Sequence, residues 1–228
     1  MNTTVIICSA NRPTILHETV LGLLNQTVHP ESIILSLCDE GCALTETKAL
    51  PGVRCILGPQ GSSVQRNTAI PLAQTPYTLF LDDDVELAHD YIEEMEHIFA
   101  EDPSIVAASG GVAADGARDG KGIEREAAIK AILNHSGSRA YVVVNFLDPF
   151  GFNMFVRSDV LRTERFDERL KLYGWLEDRD FAWGCEKHGK IVRNQAAVVA
   201  HLGTPSGRTS DVRVGYSKIA NPWYLWRK

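Results

Sequence analysis

What most limits the fold of this chain is an alternation. Short, continuous apolar runs follow one another, separated by segments of helical period or by turn residues. The runs are Val5 to Cys8, Ile33 to Leu37, Val53 to Leu57, Tyr77 to Leu81 and Ile105 to Ala108. Each is too short for a buried helix, so each reads as a buried strand. Between them, Leu16, Val20, Leu23 and Leu24 recur at helical spacing, which predicts a helix starting near Thr14. Ser62 followed by Gln65 is a capping-box pattern opening a second helix through Ala73, kinked or ended by Pro71. Ile92, Met95 and Phe99 mark a third, stopped by Pro103. This order predicts an α/β fold with a mostly parallel central sheet flanked by helices. Ligands of such sheets bind beyond the carboxyl ends of the strands. Ser9 to Arg12, Asp39 with Glu40, and Asp82 to Asp84 all fall there.

From Val112 to about Asn145 the pattern changes. Gly, Asp, Arg and Lys dominate as far as Gly122, and Ala127 to Leu133 then looks helical. The stretch reads as an insertion over the sheet. Tyr141 to Asn145, Phe152 to Val156 and Ala196 to Ala200 read as further strands, and Phe181 to His188 as a helix. The 228 residues are read as one domain, long enough to bury a real core.

A net charge of −6 argues against a surface built to hold nucleic acid. Five cysteines, odd in number and scattered, suit a reducing compartment. Cys38 and Cys42 have a spacing that zinc sites use, but no second pair follows. No apolar stretch approaches the roughly 20 residues that span a bilayer, and the start lacks a charged segment of the secretory kind. The expected location is cytoplasmic, with peripheral contact at the inner face of the membrane left open. Trp223, Tyr224 and Trp226 beside Arg227 and Lys228 suit a membrane interface, a partner chain or ordinary packing.

Three groups of residues carry chemistry. Asp82 and Asp84 are two apart in extended chain and face the same side, while Asp83 points away. Two crowded carboxylates repel unless a cation sits near them; all-oxygen ligation suits Mg2+ or Mn2+. The other reading is a solvated acidic turn. Glu177-Asp178-Arg179-Asp180 precedes a helix, where the macrodipole favours acids in any case. Its functional reading is a general base, with Tyr173 and Trp175 offering faces on which a sugar ring stacks. His201 ends an apolar strand, either as a core residue or as an imidazole completing a cation site. Arg66 with Asn67 either fixes a nucleotide or lies on the surface.

Together these residues resemble the family 2 glycosyltransferases, which have the GT-A fold of nucleotide-diphospho-sugar transferases. Four ordered signals from about Val5 to His201 carry the resemblance: Val5-Ile6-Ile7-Cys8-Ser9-Ala10-Asn11-Arg12-Pro13; Gly61-Ser62-Ser63-Val64-Gln65-Arg66-Asn67; Phe80-Leu81-Asp82-Asp83-Asp84; and Gly174-Trp175-Leu176-Glu177-Asp178-Arg179-Asp180. Gly151-Phe152-Asn153-Met154 before Arg157 is similar to the segment preceding the family's acceptor loop. The resemblance implies an inverting transfer from a nucleotide-diphosphate sugar to a hydroxyl of a glycan, a lipid-linked or another acceptor. Ser9, Ala10, Asn11, Arg12 and Asp39 would hold base and ribose, with Arg66, Asp82 and Asp83 also on the nucleotide. Asp84 would bind the Mn2+ or Mg2+, and His201 would complete its shell. Asp178 matches the catalytic base, and Glu177 would bind the acceptor. The nucleotide half would run over about 1–110 and the acceptor half over about 111–202, with a flexible tail at 203–228. Arg208, Arg213 and Lys218 of that tail either fold over the diphosphate or stay in solvent. Specificity would lie in loops, chiefly Val112 to Phe150.

One departure stands out: Cys38-Asp39-Glu40-Gly41-Cys42 replaces the family's usual Asp-Gly-Ser type of segment. Three rival readings are a metal-dependent phosphohydrolase, a sugar nucleotidyltransferase and a catalytically inactive nucleotide-sugar binding module. The first expects its Asp-X-Asp near the N-terminus, and the second a Gly-rich loop after the first strand; the third sits badly with intact Asp82, Asp84 and Asp178.

Overall fold

The structure, a computed structural model, describes residues 2–118, 120–136, 140–145, 151–170, 172–205 and 211–228. The apolar runs become strands β1 (Thr3–Ser9), β2 (Ser32–Leu37), β3 (Val53–Leu57) and β4 (Tyr77–Asp82). Helices α1 (Pro13–Leu24), α2 (Thr45–Lys48) and α3 (Ser62–Ala69) lie between them. A short β5 (Val85–Leu87), α4 (Tyr91–Glu101) and a long β6 (Ile105–Asp115) follow. The second half adds α5 (Arg125–Leu133), β7 (Tyr141–Val144), β8 (Asn153–Arg157), α6 (Glu177–Glu186), β9 (Lys190–His201) and α7 (Asp211–Arg227).

One sheet holds these strands in the order β3-β2-β1-β4-β8-β6-β9-β5, with β7 also on β9. It is mixed rather than purely parallel. β3, β2, β1 and β4 pair in parallel, as do β6 and β9, whereas β8 runs antiparallel between β4 and β6. β5 and β7 also pair antiparallel, with β9. The reason lies in the connections. Regular alternation of one strand with one helix breaks down after β4, and β5, β7 and β8 join the sheet antiparallel, outside that alternation.

Period-two alternation divides the core between the two faces. Val5, Ile7, Ile33, Leu35, Leu79 and Leu81 pack under α1 and α4, with Leu16, Val20, Met95 and Phe99. Ile6, Ile34 and Phe80 point the other way, against Ala69, Phe166, Phe181 and Cys185. Each such aliphatic side chain taken from water contributes about 1.5–3 kcal/mol. Because both faces are covered, the strands read as unbroken apolar runs rather than as polar-apolar alternation.

Two segments differ from the expectation. Val112 does not begin an insertion: β6 continues through it to Asp115. Gly110 and Gly111 hid this, being poor strand formers, yet a Cβ on Gly110 would collide with the Ala197 carbonyl and the Tyr91 ring. The register of β6 on β9 also shifts between these two glycines. The tail beyond residue 210 contains the 17-residue helix α7, docked on the segment before α6. Among the described residues no helix is long and apolar enough to cross a membrane.

Candidate active site

β4 ends in Asp82, and the chain bends through Asp83 and Asp84 into β5. Asp82 and Asp84 converge, as alternate residues of extended chain do. With His201, the last residue of β9, they offer ligand atoms that all lie within 4.8 Å of one another. Asp83 turns inward and is fully buried. It accepts from Ser9 Oγ at 2.6 Å and pairs with the Arg12 guanidinium. Arg12 Nη1 donates to Asp84 Oδ2 at 2.8 Å, as does the Thr204 N–H at 2.8 Å.

Asp84 Oδ1 is different. It is buried and finds no hydrogen-bond partner among the described residues, with His201 Nε2 standing 3.4 Å away. Buried carboxylate oxygens are seldom left so, and this one faces Asp82 and an imidazole. The donor set of two carboxylates and one histidine fits Mn2+ or Mg2+. His201 is fixed from behind: its Nδ1 lies 2.9 Å from Asp115 Oδ1, and its ring stacks on Phe152 with centroids 4.6 Å apart. An acid behind a metal-binding imidazole sets its tautomer and leaves the other nitrogen for the metal. Burial alone would lower the pKa of His201, but Asp115 and Asp84 outweigh it and raise it to about 10. Burial likewise raises the Asp84 carboxyl, yet His201 and Arg12 bring it below its ordinary value.

The second acidic group opens α6. Leu176, just before it, sits at φ 74°, left-handed backbone that costs a side-chain-bearing residue roughly 1–2 kcal/mol. Gly174 is at φ 69°, and a Cβ there would meet Glu177 Oε2 at 2.5 Å and Ser62 Oγ at 3.0 Å. A side chain there would press on the ends of Glu177 and Ser62 and strain the left-handed backbone, so glycine suits the close approach of α6 to α3. No side chain caps α6; the carboxylates of its first turn, Glu177, Asp178 and Asp180, complement the helix dipole.

Arg66, on α3, joins the two groups. Its Nη2 donates to Asp82 Oδ1 at 3.2 Å and to the Gly151 carbonyl at 2.9 Å, and its Nη1 donates to Glu177 Oε1 at 2.9 Å. The guanidinium is 5.0 Å from the Phe166 ring centroid, and the residue is only 2% exposed. The Gly151 N–H donates to Asp178 Oδ2 at 3.1 Å, while the Arg179 N–H takes Oδ1 at 2.8 Å. Gly151-Phe152 thus touches Asp178 with its first residue and His201 with its second. Burial raises the carboxyl of Glu177 to about 7, against the pull of Arg66, and it raises that of Asp178 as well.

The remaining expected residues sit around this centre. Asn11 is exposed, in left-handed backbone at φ 62°, beside the half-buried Ala10. Asp39 lies after β2, where its Oδ1 accepts the Gly41 N–H at 2.8 Å and its carboxylate faces the thiol of Cys38. Asn67 bonds the backbone of Phe166 through both ends of its amide. Arg213 is exposed on α7, and Lys218 lies over the Trp175 ring at 5.1 Å. Arg208, and residues 119, 137–139 and 146–150 of the proposed specificity loops, lie outside the described residues. Asp115 escaped the sequence reading, and Ser62 and Phe152 entered it as parts of a helix and of a strand rather than of the site. Asp115 had a signal, since it is the register partner of His201 once β6 is followed to its end.

The model of the family described as glycosyl transferase family 2 matches residues 4–164. Comparison with curated proteins finds no match. Among solved structures, Staphylococcus aureus TarS 1-349 superposes with a TM-score of 0.64 at 16% identity, covering 88% of this chain and 60% of that one. The same TarS fragment in complex with UDP-GlcNAc gives 0.66 at 16% identity, covering 94% and 61%. GalNAc-T7 with UDP, GalNAc and Mn2+ gives 0.66 at 14%, covering 88% and 44%. These likenesses show the GT-A fold, and the chain spans less than two thirds of each of those proteins. On the family match, this chain belongs to glycosyl transferase family 2.

Proposed function

We propose that the chain moves a sugar from a nucleoside diphosphate to an acceptor hydroxyl, with inversion at the anomeric carbon and dependence on a divalent cation. The observation that carries this reading is the Arg66 bridge, which ties Asp82 of the cation cluster to Glu177 of the acidic pair. The ligands of the neighbours support it: UDP-GlcNAc with TarS, and UDP, GalNAc and Mn2+ with GalNAc-T7. Five free thiols suit the reducing cytoplasm.

Asp84 and His201, with Asp82, hold the cation. When bound, it supplies Lewis-acid neutralisation of the charge that grows on the leaving diphosphate. Asp82 also meets the ribose, and Ala10, Asn11, Arg12, Asp39 and Arg66 line the nucleotide side. Ser9 and Asp83 are buried and bonded to each other, so they serve by fixing Arg12 and its loop. Glu177 orients the acceptor. The acceptor oxygen attacks the anomeric carbon, its proton passes to Asp178, and the bond to the diphosphate oxygen breaks. A single displacement inverts the configuration. Each Asp178 oxygen accepts one backbone N–H and keeps a lone pair for that proton. The Tyr173 and Trp175 rings, 6.2 Å apart and 22° from parallel, offer a stacking surface for an acceptor sugar.

The test is a donor screen. UDP-, GDP- and dTDP-sugars, with and without Mn2+, are assayed for transfer and for slow hydrolysis. Metal-dependent turnover of one donor class is expected. Turnover that persists in strong chelator contradicts the cation role.

A further inference from the structure

We propose that α7 is a docking helix that lies on an anionic lipid surface beside the acceptor end of the site. Val212, Tyr216, Ile219, Trp223 and Trp226 follow one another at steps of four, three, four and three. They are 83%, 64%, 78%, 60% and 82% exposed. At about 100° per residue, all five fall within an arc of about 80°. The opposite face is the one that packs. Ser217 is buried and accepts the Tyr173 N–H at 3.3 Å, and Asn221 Nδ2 donates to the Trp175 carbonyl at 3.0 Å. The Tyr224 hydroxyl donates to Asp167 at 2.8 Å, and Lys228 Nζ reaches both oxygens of Asp180 at 2.8 Å. The helix is therefore held by one side and presents a stripe of large apolar groups on the other.

Charge identifies the occupant. α7 and the residue after it carry four cations, Arg213, Lys218, Arg227 and Lys228, against one acid, Asp211 at the start, in a chain whose net charge is −6. Lys228 is paired with Asp180 and Asp167, which leaves three cations for a surface. The exposed Arg213 and Arg227 lie on one flank of the stripe and Lys218 on the other, as in helices that rest in the headgroup layer. Tyrosine and tryptophan favour that layer. The 4-3 spacing would also suit a second copy, but a symmetric pair would set like charges face to face. Since α7 grips Tyr173, Trp175 and Asp180, docking would hold the acceptor end against the lipid and suit an acceptor hydroxyl on a lipid carrier. That last clause rests on the proposed function; lipid docking does not.

The experiment is sedimentation of the full chain with vesicles of phosphatidylcholine mixed with phosphatidylglycerol, and with phosphatidylcholine alone. Binding to the anionic vesicles only is expected, weakened by salt and accompanied by a blue shift of tryptophan emission. Trp223→Ser with Trp226→Ser should reduce binding by at least about tenfold, and Arg227→Gln by about fivefold. Circular dichroism, thermal unfolding and donor hydrolysis in solution should not change, so failure of docking is separable from failure of transfer. Absence of anionic-vesicle binding at low salt, or equal binding by the double tryptophan variant, overturns the proposal. So does a wild-type dimer, broken by the same substitutions, that ignores vesicles.

Discussion

Asp82 and Glu177 accept hydrogen bonds from one buried guanidinium, that of Arg66, at 3.2 Å and 2.9 Å. The two residues are far apart in sequence, on the end of a strand and the start of a helix, and this cation makes them neighbours. Removing one partner of a buried ionic network leaves the others uncompensated. Arg66→Ala should therefore destabilise the fold by about 3–5 kcal/mol, read by urea unfolding. Arg66→Lys should recover little of this, because an ammonium cannot fork between two carboxylates and a carbonyl. Near wild-type stability in Arg66→Ala would mean that the bridge does not hold the site together.

Asp178→Asn keeps the shape of the side chain and one of its two backbone hydrogen bonds, since an amide has a single acceptor oxygen, but not its basicity. Turnover should fall by about 10²–10⁴, while binding of the donor, measured by calorimetry, stays within about twofold. Loss of donor binding in step with rate would remove this residue from the role of base.

The pH profile follows from the same residue. Burial raises the Asp178 carboxyl above its ordinary value. The working form is the carboxylate, so kcat/KM should climb with pH and level off above a pKa higher than that of a free aspartate. It falls as pH drops through that pKa. A profile that is flat on the acid side down to the ordinary carboxylate range contradicts the assignment.

Much of this was readable from the residues, and what was not has physical causes. The parallel half of the sheet and the convergence of Asp82 with Asp84 follow from apolar runs and from the period of two. The antiparallel return of β8 does not, because strand direction is set by connections that leave no local mark. β6 was cut short at Gly110 and Gly111, which look like a break and in fact allow close approach of Tyr91 and β9. Losing the end of β6 lost Asp115, and with it the support of His201. The role of Arg66 as a bridge was equally hidden, since nothing in its spacing separates a buried fork from a surface cation.

Asp115 gives the next prediction. It touches the cluster only through His201 Nδ1, so Asp115→Asn should weaken Mn2+ affinity by about 10–100-fold and leave turnover at saturating metal little changed. Activity titrated against Mn2+ measures both. An unchanged titration would show that His201 needs no such support, or no metal.

Gly174→Ala combines two costs, a left-handed φ of 69° and a Cβ meeting Glu177 Oε2 at 2.5 Å. A loss of roughly 1–3 kcal/mol is expected, together with reduced transfer but retained donor binding, as Glu177 is displaced on the acceptor side. Thermal unfolding and transfer kinetics read the two effects separately.

The central claim is that Asp82, Asp84 and His201 hold a divalent cation next to the Arg66 bridge. Diffraction from crystals soaked with Mn2+ and a nucleoside diphosphate, recorded at the manganese edge, tests it most directly. The account predicts an anomalous peak bound by Asp84 and His201 and touching the diphosphate. A peak elsewhere, such as among Cys38, Asp39 and Cys42, with none between Asp84 and His201, would contradict it.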